Sequence, residues 1–160
     1  MNKKDHKVFK ERREHVRLPI LHGILEPVEL EFYAKGPNGE HTPQPAILID
    51  LSAGGMRLIT FLEPPHSKEL NMILKLAGVK EMPITGKISW VKQKGGVFMS
   101  GIIFSGISHD DKKRISDMAE DYVDCDTRIA LKLPEVCVEN CRAHGVCNKP
   151  QKDESLFKKK

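Results

Sequence analysis

The chain has 160 residues, with 26 Lys and Arg against 22 Asp and Glu, so its formal net charge is only +4. This length suits one domain with a short appendage, and 39% apolar residues suffice for one real core. So small a basic excess disfavours a binder of long polyanions, and the absence of a run of about 18 apolar residues disfavours a membrane span.

The polar start Met1-Asn2-Lys3-Lys4 lacks the apolar stretch of a secretory leader, so a cytoplasmic location is expected. Four cysteines in a reducing compartment then read as thiols or metal ligands rather than disulfides. Residues 1–11 are polar and charged and read as a flexible basic arm. Strand signals begin at Val16-Arg17-Leu18-Pro19-Ile20, continue at Ile24-Leu25, and alternate cleanly over Val28-Glu29-Leu30-Glu31-Phe32. Gly36-Pro37-Asn38-Gly39 reads as a hairpin turn, and Pro43 and Pro45 as a loop. Ala46–Asp50 and Met56–Thr60 are apolar strand runs interrupted by Ser52-Ala53-Gly54-Gly55.

Leu70, Met72, Leu74 and Leu76 alternate in the next strand. Ile84, Ile88 and Trp90 are expected on one face of the strand after it. Gly95-Gly96 turns into a last strand, Val97–Phe104. Ser108 then N-caps a helix with Asp111 three residues later, and Ile115, Met118, Ala119 and Tyr122 form its apolar stripe. This order predicts a mainly β fold: a small six-stranded antiparallel β-barrel, a C-terminal helix and a short Cys-rich appendage. The expected layout is an arm over 1–11, the barrel and its helix over 12–124, the Cys-rich appendage over 125–150 and a basic polar tail over 151–160.

Two motifs carry candidate chemistry. Arg13 and Arg17 are four apart, with Arg12 beside them, and that spacing puts Arg13 and Arg17 on one face of a strand or a helix. Paired guanidinium groups can clamp phosphate, donate to the O6 and N7 edge of guanine, or stack on a base. Asp50 and Ser52 precede Gly54 and Gly55 between two strand runs. A carboxylate accepts from guanine N1–H and N2–H₂, a hydroxyl donates to phosphate, and a glycine pair permits positive φ and close ligand approach. Each motif alone has a bland alternative, a solvated arm for the first and a strand turn for the second.

In combination and in this order, Arg12-Arg13-x-x-x-Arg17 and Asp50-x-Ser52-x-Gly54-Gly55 resemble the PilZ domain family. Gly101-Ile102-Ile103-Phe104 before the final helix resembles that family's closing strand. The resemblance covers roughly Arg12 to Val123. It implies a six-stranded barrel that binds the second messenger cyclic di-GMP and relays the signal to a partner protein, without catalysis. By that resemblance Arg13 and Arg17 contact phosphate and guanine, Arg12 supports stacking, Asp50 and Ser52 hold a guanine, and Gly54 and Gly55 allow its approach. The alternatives are a PilZ-like interaction module that binds no nucleotide, and a small-barrel nucleic-acid binder with a zinc appendage. Sparse aromatics and the small basic excess count against the latter.

The resemblance does not reach the cysteines. Cys125, Cys137, Cys141 and Cys147 all fall in the last 36 residues. A short helix over Glu135–Ala143 would put Cys137, Cys141 and His144 on one face. Four thiolates, or three with His144, would then enclose a structural zinc, with an iron–sulfur cluster second to it. Unligated or redox-reactive thiols are the other readings. The net charge resolves unevenly along the chain. Residues 1–17 hold seven basic and three acidic residues, whereas the body from 18 to 150 holds 15 and 17. The basic surplus therefore sits at the ends, most of it in the arm, where a small dianion would meet it.

Overall fold

The structure, a computed structural model, describes residues 14–19, 28–33, 42–65, 69–76 and 78–157. The arm with Arg12 and Arg13, the Gly36–Gly39 turn and residues 158–160 lie outside the described residues. The described strands are β1 (Arg17–Pro19), β2 (Val28–Tyr33), β3 (Thr42–Ser52), β4 (Gly55–Thr60), β5 (Leu70–Leu74), β6 (Met82–Lys94) and β7 (Val97–Ile107). A single α-helix among the described residues, α1 (His109–Ala130), follows them.

All strand pairings are antiparallel, and six strands pair in a ring. β3 pairs with β2, β2 with β5, β5 with β6, β6 with β7, β7 with β4, and β4 with β3 again. This is the six-stranded barrel expected from the strand spacing. β1 joins the outer half of β3, with Arg17 opposite Ser52, Leu18 opposite Leu51 and Pro19 opposite Asp50.

The strands form where the sequence alternates, because each alternate residue must leave water. β4 reads Met56, Leu58 and Thr60 inward, and β5 reads Leu70, Met72 and Leu74 inward. Pro43 and Pro45, expected in a loop, belong to β3 and pair with β2. They are tolerated because the ladder to β4 starts only at Ala46, so their missing N–H groups break no bond on that side. Gly95 and Gly96 have φ of 61° and 79° and form the two-residue loop between Lys94 and Val97. Two successive positive φ values match the twist of a hairpin, and glycine adopts them without strain.

Helix α1 closes the barrel as the apolar stripe predicts. Ser108 Oγ accepts the Asp111 N–H at 3.0 Å, and Ile115, Met118, Ala119 and Tyr122 are buried in the same core as Leu18, Leu48 and Leu58. The helix runs past residue 124 to Ala130, so Cys125 lies on it.

The helix expected over Glu135–Ala143 does not form. Cys141 N–H bonds the Val138 carbonyl, and His144 N–H bonds the Cys141 carbonyl, each three residues back. A segment this short gains too little from helical bonds to offset nucleation, and Val136 and Val138 are poor helix formers. Consecutive turns and two 3-10 pieces, His144–Val146 and Glu154–Phe157, take its place.

Side chains dock this tail on α1. Arg142 forks onto Asp121 (Nε–Oδ2 2.9 Å, Nη2–Oδ1 2.7 Å) and reaches Asp117 at 2.8 Å. Those hydrogen bonds hold the Asp121 carboxyl below the usual carboxylate range. Lys149 donates to the Tyr122 carbonyl at 2.8 Å, pairs with Asp126 at 2.7 Å, and lies 3.7 Å from the Tyr122 ring centroid.

Candidate functional site

The residues of the second motif meet Arg17 at one end of the barrel. Strands β3 and β4 are joined by the two residues Ala53 and Gly54, so the register runs Ser52–Gly55, Leu51–Met56 and Asp50–Arg57. Leu18 anchors β1 with no exposed surface, and strand alternation therefore turns Arg17 outward.

Asp50 is 4% exposed and is held at both oxygens. Arg17 Nη1 donates to Oδ1 at 2.9 Å, and Arg57 Nε donates to Oδ2 at 2.5 Å, with its Nη2 on the same oxygen. Burying a carboxylate is costly unless it is paired, and here two half-exposed guanidinium groups provide the pairing. The cluster of three carries a net positive charge facing outward.

Ser52 closes the turn rather than facing outward alone. Its hydroxyl donates to the Gly55 carbonyl at 3.1 Å and accepts the Gly54 N–H at 3.4 Å. The glycine pair is required for a reason other than the positive φ expected from sequence. Neither Gly54 nor Gly55 has positive φ. A Cβ on Gly55 would stand 2.2 Å from the Ile102 carbonyl oxygen, and one on Gly54 would stand 2.6 Å from the His15 ring. Close packing of β4 on β7, and of the arm's end on the turn, excludes side chains there.

Arg17, Ser52, Gly54, Gly55, Arg57 and His15 border a groove of about 390 Å³ that also takes in Trp90 and Gly101, while Asp50 is buried behind its two arginines and does not line it. That volume falls within the range of small-molecule sites, roughly 300–1,000 Å³. The sequence alternation puts Trp90 on one face with Ile84 and Ile88. The register instead slips between Ile88 and Trp90, which inserts Ser89 as a bulge and sets Trp90 opposite Gly101. The indole covers Gly101 so closely that a Cβ there would lie 2.2 Å from Nε1. Lys92 Nζ stands 5.7 Å from the ring centroid.

The groove therefore combines two cations, a hydroxyl, the backbone of two glycines, an imidazole and an indole. Such a set can hold phosphate by charge and a flat heterocycle by stacking. Sequence reasoning missed Arg57 and Trp90. Arg57 was legible, since a two-residue turn at Ala53-Gly54 pairs it with Asp50. Nothing in the sequence announces the bulge that moves Trp90.

A PilZ domain model matches residues 11–121. The chain belongs to the PilZ domain family. The match takes in Arg12 and Arg13, which lie outside the described residues, as well as the whole groove. PilZ proteins of known structure share its fold. YcgR of Escherichia coli, solved with c-di-GMP, aligns with a TM-score of 0.56 at 14% identity over 76% of this chain and 50% of its own. MrkH of K. pneumonia, solved with c-di-GMP, aligns with a TM-score of 0.55 at 22% identity, over 74% of this chain and 56% of its own. The Bacillus subtilis inhibitor of motility MotI aligns with a TM-score of 0.52 at 14% identity, over 78% and 54%. The chain thus spans about half the length of each of these three proteins, whereas it covers 99% of the isolated YcgR PilZ domain. No curated protein sequence matches it.

The cysteines lie beyond the PilZ match. The compact zinc site expected from their spacing is not formed: among the described residues no three His, Cys, Asp or Glu side chains stand close enough to hold a metal ion. The physical reason is the missing helix, which would have aligned Cys137, Cys141 and His144. His144 is instead buried, with Nε2 3.3 Å from the Asp153 carbonyl oxygen. All four cysteines are free and half-buried, and burial pushes the Cys141 thiol up.

Proposed function

We propose that this PilZ protein is a cyclic di-GMP receptor that binds the dinucleotide in the groove and relays its presence to a partner protein. The observation that carries the reading is the meeting of Arg17, Ser52, Gly54 and Gly55 around one groove, with Asp50 holding Arg17 at its edge. The c-di-GMP complexes of YcgR and MrkH support it through the shared fold. Arg13 and Arg17 contact phosphate and guanine, Arg12 adds a stacking or second-ligand contact, and Asp50 and Ser52 hold a guanine edge. Gly54 and Gly55 line the groove with backbone that the ligand approaches closely.

The geometry adds a division of labour between the two described arginines. Arg57 shares Asp50 with Arg17, so Arg17 can turn toward a phosphate without leaving the buried carboxylate unpaired. Ligand capture by the arm then changes the surface that a partner meets. The activity is binding; no catalytic constellation enters into it. The location is cytoplasmic, and among the described residues no helix is long and apolar enough to cross a membrane.

A second reading has one observation in its favour. Arg17 and Ser52 each have a structural partner, in Asp50 and in the turn, so they have roles without any nucleotide. On that reading the chain is a PilZ-like interaction module. Titration with cyclic di-GMP separates the two. The receptor reading expects micromolar or tighter binding that Arg13→Ala and Asp50→Ala greatly weaken. Absence of heat and of any mobility change at high ligand, with the protein folded, leaves the interaction module.

A further inference from the structure

The C-terminal tail holds a second, chemically distinct feature. Cys125 from α1 and Cys137, Cys141 and Cys147 from the tail all line one cavity of about 280 Å³, and all four are free, half-buried thiols. Among the described residues no three such groups converge on a metal ion. A disulfide asks for less: two sulfurs whose Cα atoms approach to about 4.4–6.8 Å. Two anchors decide which pair the fold brings together. Arg142 is held by Asp117 and Asp121, and Lys149 by the Tyr122 carbonyl and Asp126. Between these anchors the tail follows α1 in the helix's own direction. Cys141 precedes the first anchor and so lies by the turn of α1 before Cys125. Cys147 stands two residues before the second anchor, whose partners flank Cys125 in the sequence of α1. The other tail thiols are engaged elsewhere. Cys141 packs against the core, where burial pushes its thiol up and leaves it a poor nucleophile. Cys137 Sγ accepts the Asp153 N–H at 3.3 Å and also borders a separate groove beside Pro134 and Leu156.

We propose that Cys125 and Cys147 form a thiol-oxidation site, which a hydroperoxide closes into a reversible disulfide that fastens the tail to the helix covering the barrel. The Cys147 sulfur attacks one peroxide oxygen. An S–O bond forms, the O–O bond breaks, and the leaving oxygen takes up the thiol proton as water. The Cys125 sulfur then attacks the sulfenic sulfur. An S–S bond forms, and the hydroxyl leaves with the second thiol proton as a second water. The two thiols lose two electrons, and the peroxide gains them. The bond has something to hold. Ala143 and Val146 pack in the core with Met118 and Tyr122 of α1, yet residues 131–157 contain no strand and no α-helix. Exposed ion pairs hold such a segment weakly, and a cross-link between distant positions restricts its opening.

The test treats the reduced full chain with a slight excess of hydrogen peroxide, alkylates the remaining thiols and maps the unreduced peptides by mass. Alkylatable thiols should fall from four to two, and the intact mass before alkylation by about 2 Da. A Cys125–Cys147 peptide pair should appear and should vanish on treatment with a dithiol. Cys125→Ser and Cys147→Ser should each abolish that pair, and Cys137→Ser should leave it unchanged. Four thiols still open to alkylation, a dominant bond through Cys137 or Cys141, a bond between chains, or a bond that forms as fast in the urea-unfolded chain each overturns the proposal. Cyclic di-GMP titration of the same samples reports on the groove independently, so the two readings can fail separately.

Discussion

The groove on the barrel and the cavity beneath the tail are both lined by half-exposed polar groups, yet they are held in opposite ways. In the groove, strand register fixes Arg17, Ser52, Gly55, Arg57, Trp90 and Gly101. Arg57 faces Asp50, Arg17 faces Ser52 and Trp90 faces Gly101 because ladders of backbone hydrogen bonds put them there. In the cavity, the backbone on one side is irregular, and side-chain ion pairs to Asp117, Asp121 and Asp126 position it. A site on a ladder keeps its shape without a ligand. A region held on turns and side-chain ion pairs opens more readily than one held on a ladder.

The largest expected effect tests that difference. Arg142→Ala should make residues 131–157 rapidly cleavable by protease, while the barrel resists. A tail as resistant as wild type would show that these ion pairs do not position it.

Next comes a change that breaks the ladder. Gly55→Val should destabilise the protein by about 3 kcal/mol, because its Cβ meets the Ile102 backbone and the strands must part. The denaturant midpoint reads this directly, and an unchanged midpoint would mean that the β4–β7 contact is looser than described.

Trp90→Ala leaves strand pairing intact and removes one flat surface. The expected loss in cyclic di-GMP affinity is about 1–3 kcal/mol, or roughly ten- to hundredfold, with little loss of stability. Affinity within twofold of wild type would place the base elsewhere.

The smallest effect falls on the helix that both regions share. Ser108→Ala removes the cap on the Asp111 N–H and should cost about 1 kcal/mol of stability without changing ligand affinity.

The same contrast explains what could be read before any coordinates. The Asp50–Gly55 motif, most of the described strand runs and the Ser108-capped helix are local patterns and are found where the periodicity puts them, whereas Arg12, Arg13, Ile24, Leu25 and the Gly36–Gly39 turn lie outside the described residues. Arg57 follows from counting back across a two-residue turn. Trp90 does not, because one inserted residue reverses the alternation that assigns a face, and Ser89 carries no mark of a bulge. The positive φ expected at Gly54 and Gly55 is absent for a similar reason. Their need for space comes from His15 and Ile102, which are distant in sequence. In the tail, helical spacing pointed to a face that does not exist. Turn bonds three residues back and the docking of Arg142 on α1 decide that segment, and neither leaves a periodic trace.

Isothermal titration of the folded full chain with cyclic di-GMP tests the central claim most directly. Saturable binding at micromolar concentration or below, greatly weakened in Arg13→Ala and in Asp50→Ala, is the predicted result. A wild-type protein that stays silent at high ligand, or variants that bind as tightly as wild type, would contradict it.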